Sequence, residues 1–111
     1  MTTKDLIDSL SLKPLSQFEP RAVTGVFVSD MMSDAMANAK SGDLWVTVQT
    51  HNSIVPAANL VDVSAIVVTS GKTVPAETID LASKHGIAIL STPLPTFELV
   101  GKLYGLGLVH K

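Results

Sequence analysis

The stretch 64–77, SAIVVTSGKTVPAE, ends an apolar run in Gly71-Lys72-Thr73, which is how a phosphate-binding loop closes. Such a loop needs Gly-x-x-x-x-Gly-Lys-Ser/Thr, because about eight residues must wrap the phosphates with their amides. Counting back five from Gly71 lands on Ile66, inside the apolar run, so the first glycine and the room for the loop are both missing. Pro75 also lacks an amide near where the next helix should donate one. The residues suit a tight strand-to-helix turn instead. Gly71 takes the unusual backbone angles, Thr73 caps, Pro75 starts the helix and Glu77 complements its dipole.

The location of this turn matters even though the motif fails. Val48 is followed by QTHNS, Val68 by TSGKT and Leu90 by STPLPT, so three apolar runs end in small polar residues. In open parallel sheets, ligands bind outside the carboxyl ends of the strands, where helix N-termini point free amides. Thr50, His51, Asn52, Thr69, Ser70, Gly71, Ser91 and Thr92 are therefore candidate ligand-binding residues for a small anionic or nucleotide-like molecule. Plain helix capping and turn formation is the competing account of the same residue types. His51 is the side chain there that could act as a base, but the sequence shows it neither a nucleophile nor a positioned acid. No catalytic residue is assigned.

Other residues carry less. Asp30 and Asp34 stand four apart, as two carboxylates on one helix face would, but a hard cation needs several more oxygens. They read as first-turn caps, and no metal site or cofactor is expected. His85 beside Gly86 suits the end of a helix, and His110 lies in a terminal tail. Gly101 and Gly105, inside a helical pattern, cost about 1 kcal/mol each against alanine, which points to another backbone packing close by, within the fold or across a dimer.

The elements that must position these residues follow from periodicity. Residues 1–10 read as a short helix capped by Thr3, with Leu6, Ile7 and Leu10 on one face. Pro14 and Pro20 then allow only a short edge strand near Leu12–Leu15. Strands are expected at Arg21–Val28, Leu44–Val48, Ala65–Val68 and Ile87–Leu90. Helices fall between them: one capped by Ser29 or Asp30 and stopped by Gly42, one capped by Asn52 or Ser53 with Pro56 in its first turn, and one from Pro75 to Gly86. A final helix begins at Thr96, and Trp45 is expected half-buried, its indole N–H needing a partner. This alternation implies parallel strands with right-handed crossovers: an α/β fold, three-layer α/β/α, with a mainly parallel sheet of four to five strands.

Composition narrows the classes. The chain has 111 residues, the size of one domain, with residues 1–20 as helix and connecting segment and 21–109 as βα repeats. It is 46% hydrophobic but only 16% charged, against ~25% in average soluble domains, so part of its surface must be apolar. A homodimer is the simplest way to bury that surface, and a protein partner is the alternative. The absence of cysteine excludes disulfides and thiol catalysis. Eight scattered Lys/Arg give no stripe for nucleic acid, and no apolar stretch approaches the ~20 residues of a membrane span, so a cytoplasmic protein is expected.

From VTGVFVSDMMSDAMANAKSGDLWVTVQTHNSIV through VVTSGKTVPAETIDLASKHGIAILSTPLPTFELVGKLY, the sequence resembles stand-alone proteins of the DRTGG-domain family. These are related to the N-terminal domain of the kinase/phosphorylase of the histidine-containing phosphocarrier protein. Thr69 and Gly71 match the Thr-Gly-Gly group, with Ser70 replacing its middle glycine, while the Asp-Arg position falls on His51 and Asn52. The resemblance implies a regulatory rather than catalytic domain. Three functions stay open: a ligand-sensing regulatory domain, a protein-interaction module without a small ligand, and a small phosphotransfer or hydrolytic enzyme using His51.

Overall fold

The structure, a computed structural model, describes residues 1–110. Its elements are α1 (Thr3–Leu10), β1 (Lys13–Pro14), β2 (Gly25–Val28), α2 (Met32–Asn38), β3 (Asp43–Thr47), α3 (Ile54–Val61), β4 (Ala65–Val68), α4 (Ala76–Lys84), β5 (Ile89–Ser91) and α5 (Thr96–Gly105). The five strands form one sheet in the order β1-β5-β4-β3-β2. β2 to β5 run parallel, and β1 pairs antiparallel with β5. Pro14 sits in that edge strand, where its missing N–H breaks no central ladder.

Parallel neighbours in sequence order, joined by right-handed crossovers, put α2, α3 and α4 on one face of the sheet. The side chains agree. Trp45, Ile66, Val68 and Ile89 pack with Ala35, Ile54, Ala58 and Ala82 in one core layer. The alternate residues Leu44, Val46, Val67 and Leu90 pack with Leu6 of α1 and Leu99 and Leu103 of α5 in the other. β4 is buried along its whole length, as its unbroken apolar character requires. The result is the expected three-layer α/β/α fold.

Several local expectations are corrected. Thr2, not Thr3, caps α1: its hydroxyl accepts from Asp5 N–H while Asp5 accepts from Thr2 N–H, a reciprocal box. Thr3 is instead buried, its hydroxyl accepting from Arg21 N–H. β2 is shorter than expected; residues before Gly25 contribute only an isolated bridge between Thr2 and Ala22. Trp45 is fully buried rather than half-buried, because it lies on a central strand under the α2–α3 layer, and its indole donates to Ser29 C=O at 2.9 Å. An added Cβ at Gly101 or Gly105 meets nothing within 4 Å, so no backbone of this chain's own fold explains those glycines.

Candidate functional site

The loops after β2, β3, β4 and β5 share one edge of the sheet, and β4 and β5 part company there: β4 leads to α4 on one face, β5 to α5 on the other. Such a divergence is the switch point at which open α/β sheets form a crevice. In this chain the crevice is bridged by its own loops. Ser70 N–H donates to Leu94 C=O at 2.8 Å, and Gly71 N–H to Thr92 C=O at 3.0 Å. Thr92 N–H returns to Val68 C=O at 3.0 Å, and the buried Thr69 hydroxyl meets Thr96 Oγ1 at 2.7 Å. The amides of Ser70, Gly71 and Thr92 are thus engaged within the fold.

Backbone angles explain the residue types of this turn. Ser70 and Gly71 both take φ of 64°, the left-handed region. Two successive left-handed residues favour glycine at both positions. Serine at position 70 therefore stands where the backbone would prefer glycine. Thr73 does not cap α4, contrary to the sequence reading; the cap position is Pro75, which makes no side-chain bond there.

The other half of the edge is held by side chains. Asp30 does not cap α2. Its carboxylate accepts from Thr47 Oγ1 at 3.0 Å and from Val48 N–H at 2.9 Å, and Gln49 donates to its carbonyl at 2.9 Å, which ties the β2 loop to the end of β3. The second acidic residue, Asp34, accepts from Asn38 at 2.7 Å, so the two carboxylates have separate tasks. Among the described residues no group of acidic and histidine side chains could hold a metal ion. Thr50 C=O accepts from the buried Thr78 hydroxyl at 2.9 Å, and the Asn52 amide donates to Glu77 Oε1 at 2.6 Å. Neither Asn52 nor Ser53 caps α3 through its side chain. His51 is exposed. Its Nδ1 lies 3.2 Å from Ser53 N and 2.9 Å from Ser53 Oγ, so the bonds made by this ring are local.

The eight candidate residues thus fall into two groups. Thr69, Ser70, Gly71 and Thr92 are joined by the loop bridge, with Ser91 ending β5 beneath it. Thr50, His51 and Asn52 lie against the start of α4, next to a shallow groove of about 640 Å³ lined by Asn52, Glu77, Asp80, Leu81 and Lys84. Sequence reasoning missed Asp30, Thr78 and Thr96 as partners. The polar residues inside otherwise apolar helix faces, Thr78 above all, were the signal that could have flagged them.

The sequence pattern of the DRTGG domain matches residues 12–106. The chain belongs to the DRTGG domain family. Among solved structures it is similar to the CBS and DRTGG domains of the regulatory region of Clostridium perfringens pyrophosphatase, complexed with an activator, diadenosine tetraphosphate. The TM-score is 0.69 at 24% sequence identity, over 89% of this chain. This DRTGG chain spans 44% of that structure's length, so the likeness concerns the fold of one part of it. No curated protein matches the chain.

Proposed function

We propose that this DRTGG domain is a regulatory, small-ligand-sensing unit without chemistry of its own. The observation that carries the reading is the pair of exposed His51 and half-buried Asn52 at the carboxyl edge, beside the α4 groove and next to a switch point. The His51 ring is exposed and polar, and Ser70 is exposed across the edge. These are recognition groups for a polar ligand. The pyrophosphatase regulatory region with its dinucleotide activator supplies the ligand class to try first. Among the described residues, no carboxylate hydrogen-bonds the His51 ring, which favours sensing over a hydrolytic or phosphotransfer role. The reading includes a homodimer in the cytoplasm. No helix among the described residues is long and apolar enough to cross a membrane.

A thermal-shift screen against nucleotides, dinucleoside polyphosphates, acyl phosphates and sugar phosphates tests the reading. At 100 times its dissociation constant a ligand adds about 2.7 kcal/mol, enough to raise the midpoint by more than roughly 5 °C. A flat screen across all four classes contradicts it and favours the interaction module, for which the exposed Phe97 and Tyr104 speak.

A further inference from the structure

The outer face of α5 combines features that ordinary surface helices avoid. Phe97 is 85% exposed and Tyr104 71% exposed. They are seven residues apart, two turns along one face, or about 10 Å. Between and beyond them on the same face lie Gly101 and Gly105, which have open space where a side chain would be. The inward residues Leu99 and Leu103 already anchor the helix on the sheet, so the fold does not need the aromatic pair. Alongside Tyr104 runs an apolar groove of about 360 Å³, lined also by Val100, Phe27, Val28, Val109 and His110.

We infer that this face pairs with the same face of a second copy, the two α5 helices crossing antiparallel about a two-fold axis near Gly101. Self-complementarity carries the inference. The aromatic knob, Phe97, stands at one end of the stripe, and the gap and groove at Gly105 and Tyr104 stand at the other. Reversing the helix sets each knob into the other copy's gap, as an isologous interface requires. The charges agree: Glu98 lies toward the start of α5 and Lys102 one turn later, so reversal sets each Glu98 near the other copy's Lys102. The opposed helix dipoles also favour this direction. Glycines at the crossing let the backbones approach closely, which accounts for two residues that weaken the helix without serving the monomer.

An aromatic side chain buries about 150–250 Å², so the four exposed rings of two copies supply roughly 600 Å², somewhat over a third of a standard stable interface of about 1,600 Å². Val100, Val109 and the groove walls border them and extend the patch. The inference rests on the dimeric part of the proposed reading and not on its ligand.

Because the chain has no cysteine, single thiols can be placed cleanly. Gly101→Cys introduces one where nothing within 4 Å obstructs it, and Leu60→Cys serves as an exposed control on α3. The account expects a sedimentation mass of two chains at micromolar concentration. It also expects disulfide-linked dimer to form at least about tenfold faster for Gly101→Cys than for the control, since paired thiols react at millimolar effective concentration. Phe97→Ser should shift the wild-type mass to one chain while the circular dichroism spectrum stays folded. A dimer that cross-links no faster through position 101 than through position 60 overturns this interface and leaves the dimer standing. A single-chain mass overturns both. The ligand screen decides the sensing role separately.

Discussion

The two halves of the carboxyl edge are built on opposite plans. At Thr69–Gly71 the amides of Ser70 and Gly71 are turned inward onto Leu94 and Thr92, that of Thr69 bonds Thr47, and the buried hydroxyls of Thr69 and Thr92 serve the same bridge. At Thr50–Ser53 the fold is held from the flanks, by Thr78 on the Thr50 carbonyl and Glu77 on the Asn52 amide, while His51 faces water. The first half is a closed backbone bridge, with the Ser70 side chain exposed above it. The second leaves polar groups available. The Thr-Gly-Gly-like sequence here therefore marks a backbone requirement, and the proposed recognition groups are sought mainly on the neighbouring loop.

Substitutions can break this contrast. The largest effect is expected for Asp30→Ala, which removes two bonds at once and leaves the Thr47 hydroxyl, only 1% exposed, without its acceptor. Urea denaturation should give a loss of about 2 kcal/mol; a loss within error would mean the β2 loop is not what fixes the end of β3. Next comes Gly71→Ala, which forces a side chain into the left-handed region, with an expected loss of about 1–2 kcal/mol. Ser70→Gly should go the other way and raise stability by up to about 1 kcal/mol, the sign of the change being the informative part. If it destabilises, Ser70 makes a contribution beyond its backbone. His51→Ala should change the unliganded protein's stability by less than about 0.5 kcal/mol, since the ring is exposed and bonds only locally. A larger loss would move His51 from the recognition group to the structural one.

The smallest effects come from acid. Thr2 N–H holds Asp5 below its ordinary value, the Asn38 amide does so for Asp34, and the Ser41 hydroxyl, helped by Arg21, does so for Asp62. Because the folded values are lowered, the fold favours the charged forms. Their stabilisation is complete above the ordinary value of 3.8 and is lost as pH falls through the lower folded values. All three groups are on the surface, and Asp5 and Asp62 lie away from the carboxyl edge, so thermal midpoints measured from about pH 5 to about pH 2 should decline gradually. A single steep transition confined to the carboxyl edge would argue that a group there dominates.

The fold was legible because its signals are local and redundant. Unbroken apolar runs such as Ala65–Val68 mark central strands, and Gly86 marks the end of α4 with φ of 67°; Gly42, expected to stop α2, instead turns the chain into β3, since α2 already ends at Asn38 with Ala39 extended. The caps were not legible, since Thr2 and Thr3 both suit the position and only the reciprocal bond with Asp5 decides between them. The candidate site was half legible. Its eight residues do gather on one edge, but which amides are free depends on how the β4 and β5 loops meet across the sheet, and no residue type announces that. Asp30 was misread for the same reason: the hydroxyl and amide it serves belong to β3 and the residue after it, seventeen and eighteen positions away.

The most direct test of the central claim compares the wild-type chain with the His51→Ala, Asn52→Ala double variant, each with and without a saturating dinucleoside polyphosphate in a thermal-shift experiment. The account predicts that the wild type gains more than roughly 5 °C and that the variant, judged against its own unliganded midpoint because it lacks the Asn52–Glu77 bond, gains almost nothing. An equal gain in both proteins would contradict it, because the ligand would then be held without the exposed half of the edge.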